Sequence, residues 1–449
     1  MSGMIIEEAP GLCMGPTRGQ TYSTMDRYRN EADIGSVWFT DRKLVDATIG
    51  RGLTGRIENV NDWTWVGDLV WTNGYVRFAA TGACVTVTGN LCLSNGNSRL
   101  DIGGCEYRCR SAFIEIWGGA EQNRLTVGGD LKVLSGARLD IRAAEKRETY
   151  DWGGEVQVGG VFQIGVQAST YAWSDIFTCS SPRFRVGSLV IDEGGLLSAE
   201  RRGGAGAYNN TSYRNAIGES TIYGYGPLGH DQYLAPLYTL AGQHIGLGAR
   251  GTGQQSGWSN PRLYDDAYRP CQTGTGGGSA GYGDGGSGGG LIYLVATGEM
   301  RVDGEINVDG THTYNGSASH RYQEGGGSAG TIFLSGASFS GGEHAVLSAV
   351  GGAGVQESAT TAGAAGAGGC IAVWTGVPWT PDIKEKRVGR SEIIPSSFKG
   401  RTKVSGGGMV YDSTASSEGW EQPERSIASD GTVRFCHVDN PPGLILLFR

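Results

Sequence analysis

The 449 residues include 79 Gly but only 13 Pro, and Gly does not recur at every third position, which excludes a collagen-like chain. With 11 Trp, 19 Tyr and 11 Phe the chain carries enough bulky apolar surface for a large core, so wholesale disorder is excluded as well. Lys and Arg number 37 against 45 Asp and Glu, a net charge of −8, which argues against nucleic acid as a partner.

The opening MSGMIIEEAPGLC has neither a basic stretch nor a long apolar one, so no secretory signal peptide is visible in this numbering. Aliphatic or aromatic runs such as 291–296 and 444–448 are far short of the ~20 residues of a membrane helix, and no membrane span is expected. Residues 1–62 fit no repeat and are expected to be a cap or an assembly segment.

From 63 to 203 a repeat takes over. Segments 66–74, 89–96, 129–136 and 187–194 share the frame Gly-[Asp/Asn/Ser]-Leu-x-[apolar]-x-x-Gly, with a weaker unit at 160–164. The apolar pairs Leu69/Trp71, Leu91/Leu93, Leu131/Val133 and Leu189/Ile191 are two apart, the period of a strand with one buried face. Alternation resumes after the turn in Val76/Phe78, Leu100/Ile102 and Leu139/Ile141. Asn73-Gly74, Asn95-Gly96 and Ser135-Gly136 suit positive φ and mark changes of direction. The uneven spacing of the units predicts stacked layers with inserted loops. Gly interrupts nearly every window in which an amphipathic helix would form, so the chain reads as all-β.

Residues 204–290 read as a Gly-rich loop insertion, and composition alone would make them a flexible linker. A second repeat argues for order. Glycine tracts ending at Gly290, Gly330 and Gly369 each lead into an apolar strand pattern, so 291–378 is a further block of β repeats about 40 residues long. The tracts are therefore expected to pack against the strands, where a residue without Cβ lets backbones approach closely. Asp303 and Asp309 each precede Gly and read as turn formers. Residues 379–449 depart from the repeat and are a second expected cap or assembly segment.

Two all-β architectures fit. In a sandwich or barrel the Asn-Gly and Asp-Gly pairs are hairpin turns; in a parallel β-helix they are corners, and like residues stack from layer to layer. Self-similarity at long period favours the β-helix, a solenoid with long Gly-rich insertions and non-repeat termini. The Gly-[Asp/Asn]-Leu units, together with 285–294, 302–310 and 368–374, resemble the glycine-rich β-helical surface proteins related to bacterial autotransporter and haemagglutinin-type adhesins. That resemblance, over about 60–380, implies a right-handed parallel β-helix, export to the cell surface or beyond, and a structural or adhesive role.

Motifs for chemistry are sparse. The nine Cys form no CxxC and no Cys/His cluster, so neither a metal site nor a cofactor is expected. Cys105 and Cys109 are candidates for a disulfide in an extracellular setting, with free buried thiols as the alternative. Three Gly-x-Ser-x-Gly matches, centred on Ser279, Ser287 and Ser328, lack the strand-to-helix setting of a nucleophile elbow. The best candidate for contact with a glycan is Tyr264, Asp265, Asp266, Tyr268 and Arg269, because aromatic faces pack on sugars while Asp and Arg bond hydroxyls; the competing reading is a loop anchoring itself.

The expected function is accordingly a non-enzymatic extracellular structural or adhesive protein. Its unpaired strand edges are expected to self-associate through the ends of the solenoid, into a filament or surface layer, with a glycan as the other expected partner. The alternative is a polysaccharide lyase or glycoside hydrolase, a depolymerase, on the same scaffold.

Overall fold

The structure, a computed structural model, describes residues 36–37, 42–49, 53–57, 60, 62–78, 82–96, 98–103, 122–144, 152–175, 178–206, 224, 226–227, 242, 244–249, 263–278, 285–312, 325–356, 363–376, 390–411 and 428–438. Cys105 and Cys109 lie outside them. Among the described residues one short helix, Arg42–Thr48, accompanies two large sheets of 10 and 15 strands. Among the described residues every strand pair is parallel except Arg390–Glu392 with Thr432–Val438.

The chain passes through the same strand positions again and again. Asp62–Trp65 and Leu69–Trp71 lie in the larger sheet and Gly74–Phe78 in the smaller; Cys84–Val87, Leu91–Ser94 and Ser98–Ile102 then pair with them in the same order. Asn123–Val127, Leu131–Leu134 and Arg138–Arg142 follow in turn. In the next two layers the first two strands fuse into Gly154–Ile164 and Pro182–Ile191. After residue 290 they separate again, and Leu291–Ala296, Thr331–Ser335, Cys370–Thr375 and Thr432–Val438 extend the larger sheet.

Register explains the sequence frame. Leu69, Leu91, Leu131, Phe162 and Leu189 stand one over another, as do Ile292, Ile332 and Ile371. Because alternate residues share a face, these ladders fill the space between the sheets with a continuous apolar core. The polar residue after Gly ties each layer to the next. Asp68 Oδ1 accepts the Asn90 N–H at 2.7 Å, Asn90 Oδ1 that of Asp130 at 2.7 Å, and Asp130 Oδ1 that of Val161 at 2.9 Å. Asp303 and Asp309 do the same further on, accepting the N–H groups of Gly342 and Val350. At the corners Asn95 and Ser135 adopt φ of 77° and 52°, and Gly74 and Gly136 of 101° and 80°.

The described parts of the glycine tracts are buried and belong to neither sheet. Along 325–330 the N–H groups point in three directions with a period of three. Gly325 and Ser328 donate to Gly278 and Thr275, Gly326 and Ala329 to Ala364 and Ala367, and Gly327 and Gly330 to Thr311 and Val308. That is the pattern of an extended helix with three residues per turn, which has no internal hydrogen bonds and turns every backbone group toward a neighbour. None of the described tract glycines has positive φ, so turn geometry is not what selects them. Space is: a Cβ on Gly330, Gly277 or Gly352 would meet a neighbouring carbonyl oxygen at 1.8–1.9 Å. The bundle joins 203–206, 273–278 and 285–290 to runs from the later repeats, so described parts of the Gly-rich insertion and of the strand block 291–378 share one hydrogen-bonded body.

Candidate functional site

The segment 263–272 crosses the outer face of the larger sheet before the chain enters the glycine bundle at 273–278. Asp265 is held at φ 102°, a conformation uncommon outside glycine. Its Oδ1 accepts the N–H groups of Asp266 and Cys271, each at 2.9 Å; its Oδ2 accepts the N–H of Gln272 at 3.0 Å and the Thr331 hydroxyl at 3.3 Å. His244 Nε2 lies 3.0 Å from the same Oδ2, and both side chains are buried. Asp266 Oδ1 accepts the N–H groups of Tyr268 and Arg269, which closes the turn.

The Tyr264 hydroxyl donates to the Thr273 carbonyl at 2.9 Å, and burial pushes its ionisation well above the ordinary tyrosine range. Tyr268 donates through its hydroxyl to Glu392, accepts the Trp374 indole N–H at its carbonyl and lies under the Arg434 guanidinium. The five residues expected to contact a glycan thus lie together. Tyr264 and Asp265 face the protein, while Asp266, Tyr268 and Arg269 brace the loop. The hydrogen bonds of this arrangement tie the loop to itself and to the larger sheet. Of the Gly-x-Ser-x-Gly serines, Ser287 and Ser328 are buried in the glycine bundle.

A second constellation lies on the smaller sheet. Asp101 and Asp140 are opposite one another on adjacent strands, and neither has any exposed surface. Arg138 grips Asp140 through Nε at 2.6 Å and a second nitrogen at 2.9 Å, while Trp173 Nε1 donates to it at 2.6 Å. Arg99 Nε bridges the pair, 3.0 Å from Asp101 and 3.2 Å from Asp140. Tyr75 donates its hydroxyl to Asp101 at 3.0 Å, and the guanidinium groups stack on rings: Arg99 on Tyr75, Arg138 on Tyr171, Arg142 on Trp173.

These surroundings push the two carboxyls apart. Burial, then the neighbouring Asp140 charge, raises Asp101. Burial acts upward on Asp140 too, but Arg138 and Arg99 hold it well below the usual carboxylate range. One acid favouring its proton beside one that stays ionised is a division of labour used in acid–base catalysis. Here both are sealed from solvent, so the arrangement serves chiefly to lock four strands together. Sequence reasoning passed over this pair, although a signal was present: Arg-Leu-Asp-Ile occurs at 99–102 and again at 138–141, at the same place in two repeats.

Compared with known proteins, the chain matches no family model, no curated protein and no solved structure.

Proposed function

We propose that the chain forms a right-handed parallel β-helix and works outside the cell as a non-enzymatic structural or adhesive element, in the manner of the autotransporter- and haemagglutinin-type surface proteins. Handedness follows from the strong preference of parallel crossovers for the right-handed sense. The observation that carries the reading is the unbroken stack of in-register parallel layers with a close-packed glycine bundle hydrogen-bonded to it. Such a body resists bending and suits the display of surface segments.

The ends of the stack favour self-association. Among the described residues Asp62–Trp65 and Leu69–Trp71 each pair on one side only, with Val66 and Val70 exposed beside them, whereas Arg390–Glu392 covers the opposite edge of the larger sheet. Electron microscopy of the purified chain over a range of concentrations tests this. Elongated particles that join end to end are expected, and compact particles, or monomers dispersed at every concentration, would overturn it.

A further inference from the structure

The outer face of the larger sheet carries a cationic cluster that the loop at 263–272 does not use. Arg124, Glu155 and Arg183 occupy one row across three adjacent strands, and Thr126, Gln157 and Arg185 the row beside it. Glu155 is almost fully buried and is the common partner of all three arginines. Arg183 approaches it at 2.9 Å, Arg185 at 3.5 Å and Arg124 at 3.8 Å. Three guanidinium groups therefore share one carboxylate.

Arg183 donates to that carboxylate through Nε at 3.0 Å, whereas Arg124 and Arg185 stand farther from it, and each is 44% exposed. An acidic chain has carboxylates to spare, yet here it gathers positive charge on a flat, rigid face. Guanidinium forks match planar or tetrahedral oxyanions, and the sheet fixes their spacing at ~4.8 Å from strand to strand. Thr126 and Gln157 place a hydroxyl and an amide between the two exposed cations, and the Trp152 ring lies beside Arg183.

We propose that this face binds a linear polysaccharide bearing carboxylate or sulfate groups. Arg124 and Arg185 take the anionic groups, Thr126 and Gln157 the ring hydroxyls, and Glu155 holds the arginines in place from below. The proposal rests on the adhesive reading for its setting and names that reading's ligand class.

Its test is binding of the full-length chain to immobilised heparin, polygalacturonate, neutral dextran and duplex DNA. The comparison is between the wild type, the Arg124→Gln/Arg185→Gln double variant and Arg301→Gln, a control at an arginine paired elsewhere with Asp192 and Asp303. Heparin, polygalacturonate or both should bind and weaken with added salt, and the double variant should lose about tenfold or more in affinity while the control does not. Sulfate and carboxylate sources are separated by which of the two surfaces binds more tightly. Equal binding by wild type and double variant, equal binding to dextran, preference for DNA, or no binding would each overturn the proposal. Circular dichroism excludes misfolding as the cause of a loss. Rod-shaped particles in a preparation that fails to bind would leave the scaffold reading standing while this site falls.

Discussion

Replacing Gly330 with Ala isolates the reason for the glycine excess. A Cβ at this position would sit 1.8 Å from the Gly290 carbonyl oxygen and 2.6 Å from that of Gly289, whereas ordinary contact begins near 3.4 Å. Both obstacles are backbone, and no side chain can rotate away. Making room displaces the 285–290 run and breaks the Thr331 N–H bond to Gly290, and it strains the Gly330 N–H bond to Val308. Each buried hydrogen bond left unmade costs ~1–3 kcal/mol and overpacking a similar amount, against a gain of under about 1 kcal/mol from stiffening the unfolded chain. A net loss of about 3–6 kcal/mol is expected.

Two further substitutions separate space from backbone conformation. At Gly136 the φ is 80° and the nearest atom lies 3.4 Å from the added Cβ, so Ala should cost about 1–2 kcal/mol through conformation alone. At Gly408 φ is not positive and nothing lies within 4 Å, so Ala should be neutral or slightly stabilising. Urea titration of the three variants should rank the losses Gly330, then Gly136, then Gly408. If Gly330→Ala proves as stable as Gly408→Ala, close approach is not what the tracts are for.

The carboxylate pair predicts opposite pH behaviour. Asp140, held below its unfolded value, contributes stability that is present above about pH 4 and lost as acid approaches its folded value, so Asp140→Asn should cost about 3–5 kcal/mol at neutral pH and less in acid. Asp101 is raised, so its contribution is present at low pH and lost as pH rises; Asp101→Asn should be the milder change at pH 7, and denaturant titrations from pH 3 to 8 that reverse this order would refute the assignment. Thiol chemistry gives a further check. Burial pushes Cys179 and Cys370 up to about 12, whereas Cys271 is exposed, so iodoacetamide at pH 8 should label Cys271 while the other two react only after denaturation. Peptide mapping that finds Cys179 or Cys370 labelled as fast as Cys271 would contradict the packing.

The strand pattern was legible because its period is local. Leu69, Leu91, Leu131 and Leu189 align by eye, and the same residues stand in register. The polar residue beside each of those leucines was visible too, but not its role, since Asp68 and Asn90 act on a layer 22 and 40 residues further along the chain. The loop at 264–269 was legible as a cluster of aromatic and charged groups. That Asp265 turns inward depends on His244 and Thr331, which no spacing rule connects to it.

Periodicity and the lack of helix-forming stretches thus determined by themselves that the chain is β-rich and built in repeated layers. Tertiary structure alone decided what the glycines do. A Gly tract has one composition whether it is a flexible linker or part of a packed bundle, and the difference lies in whether other backbones come close enough to take its hydrogen bonds. The same holds for charge: Arg138 already neighbours Asp140 along its own strand, but Asp101 and Arg99 come beside Asp140, and the arginines beside Glu155, only when successive layers stack.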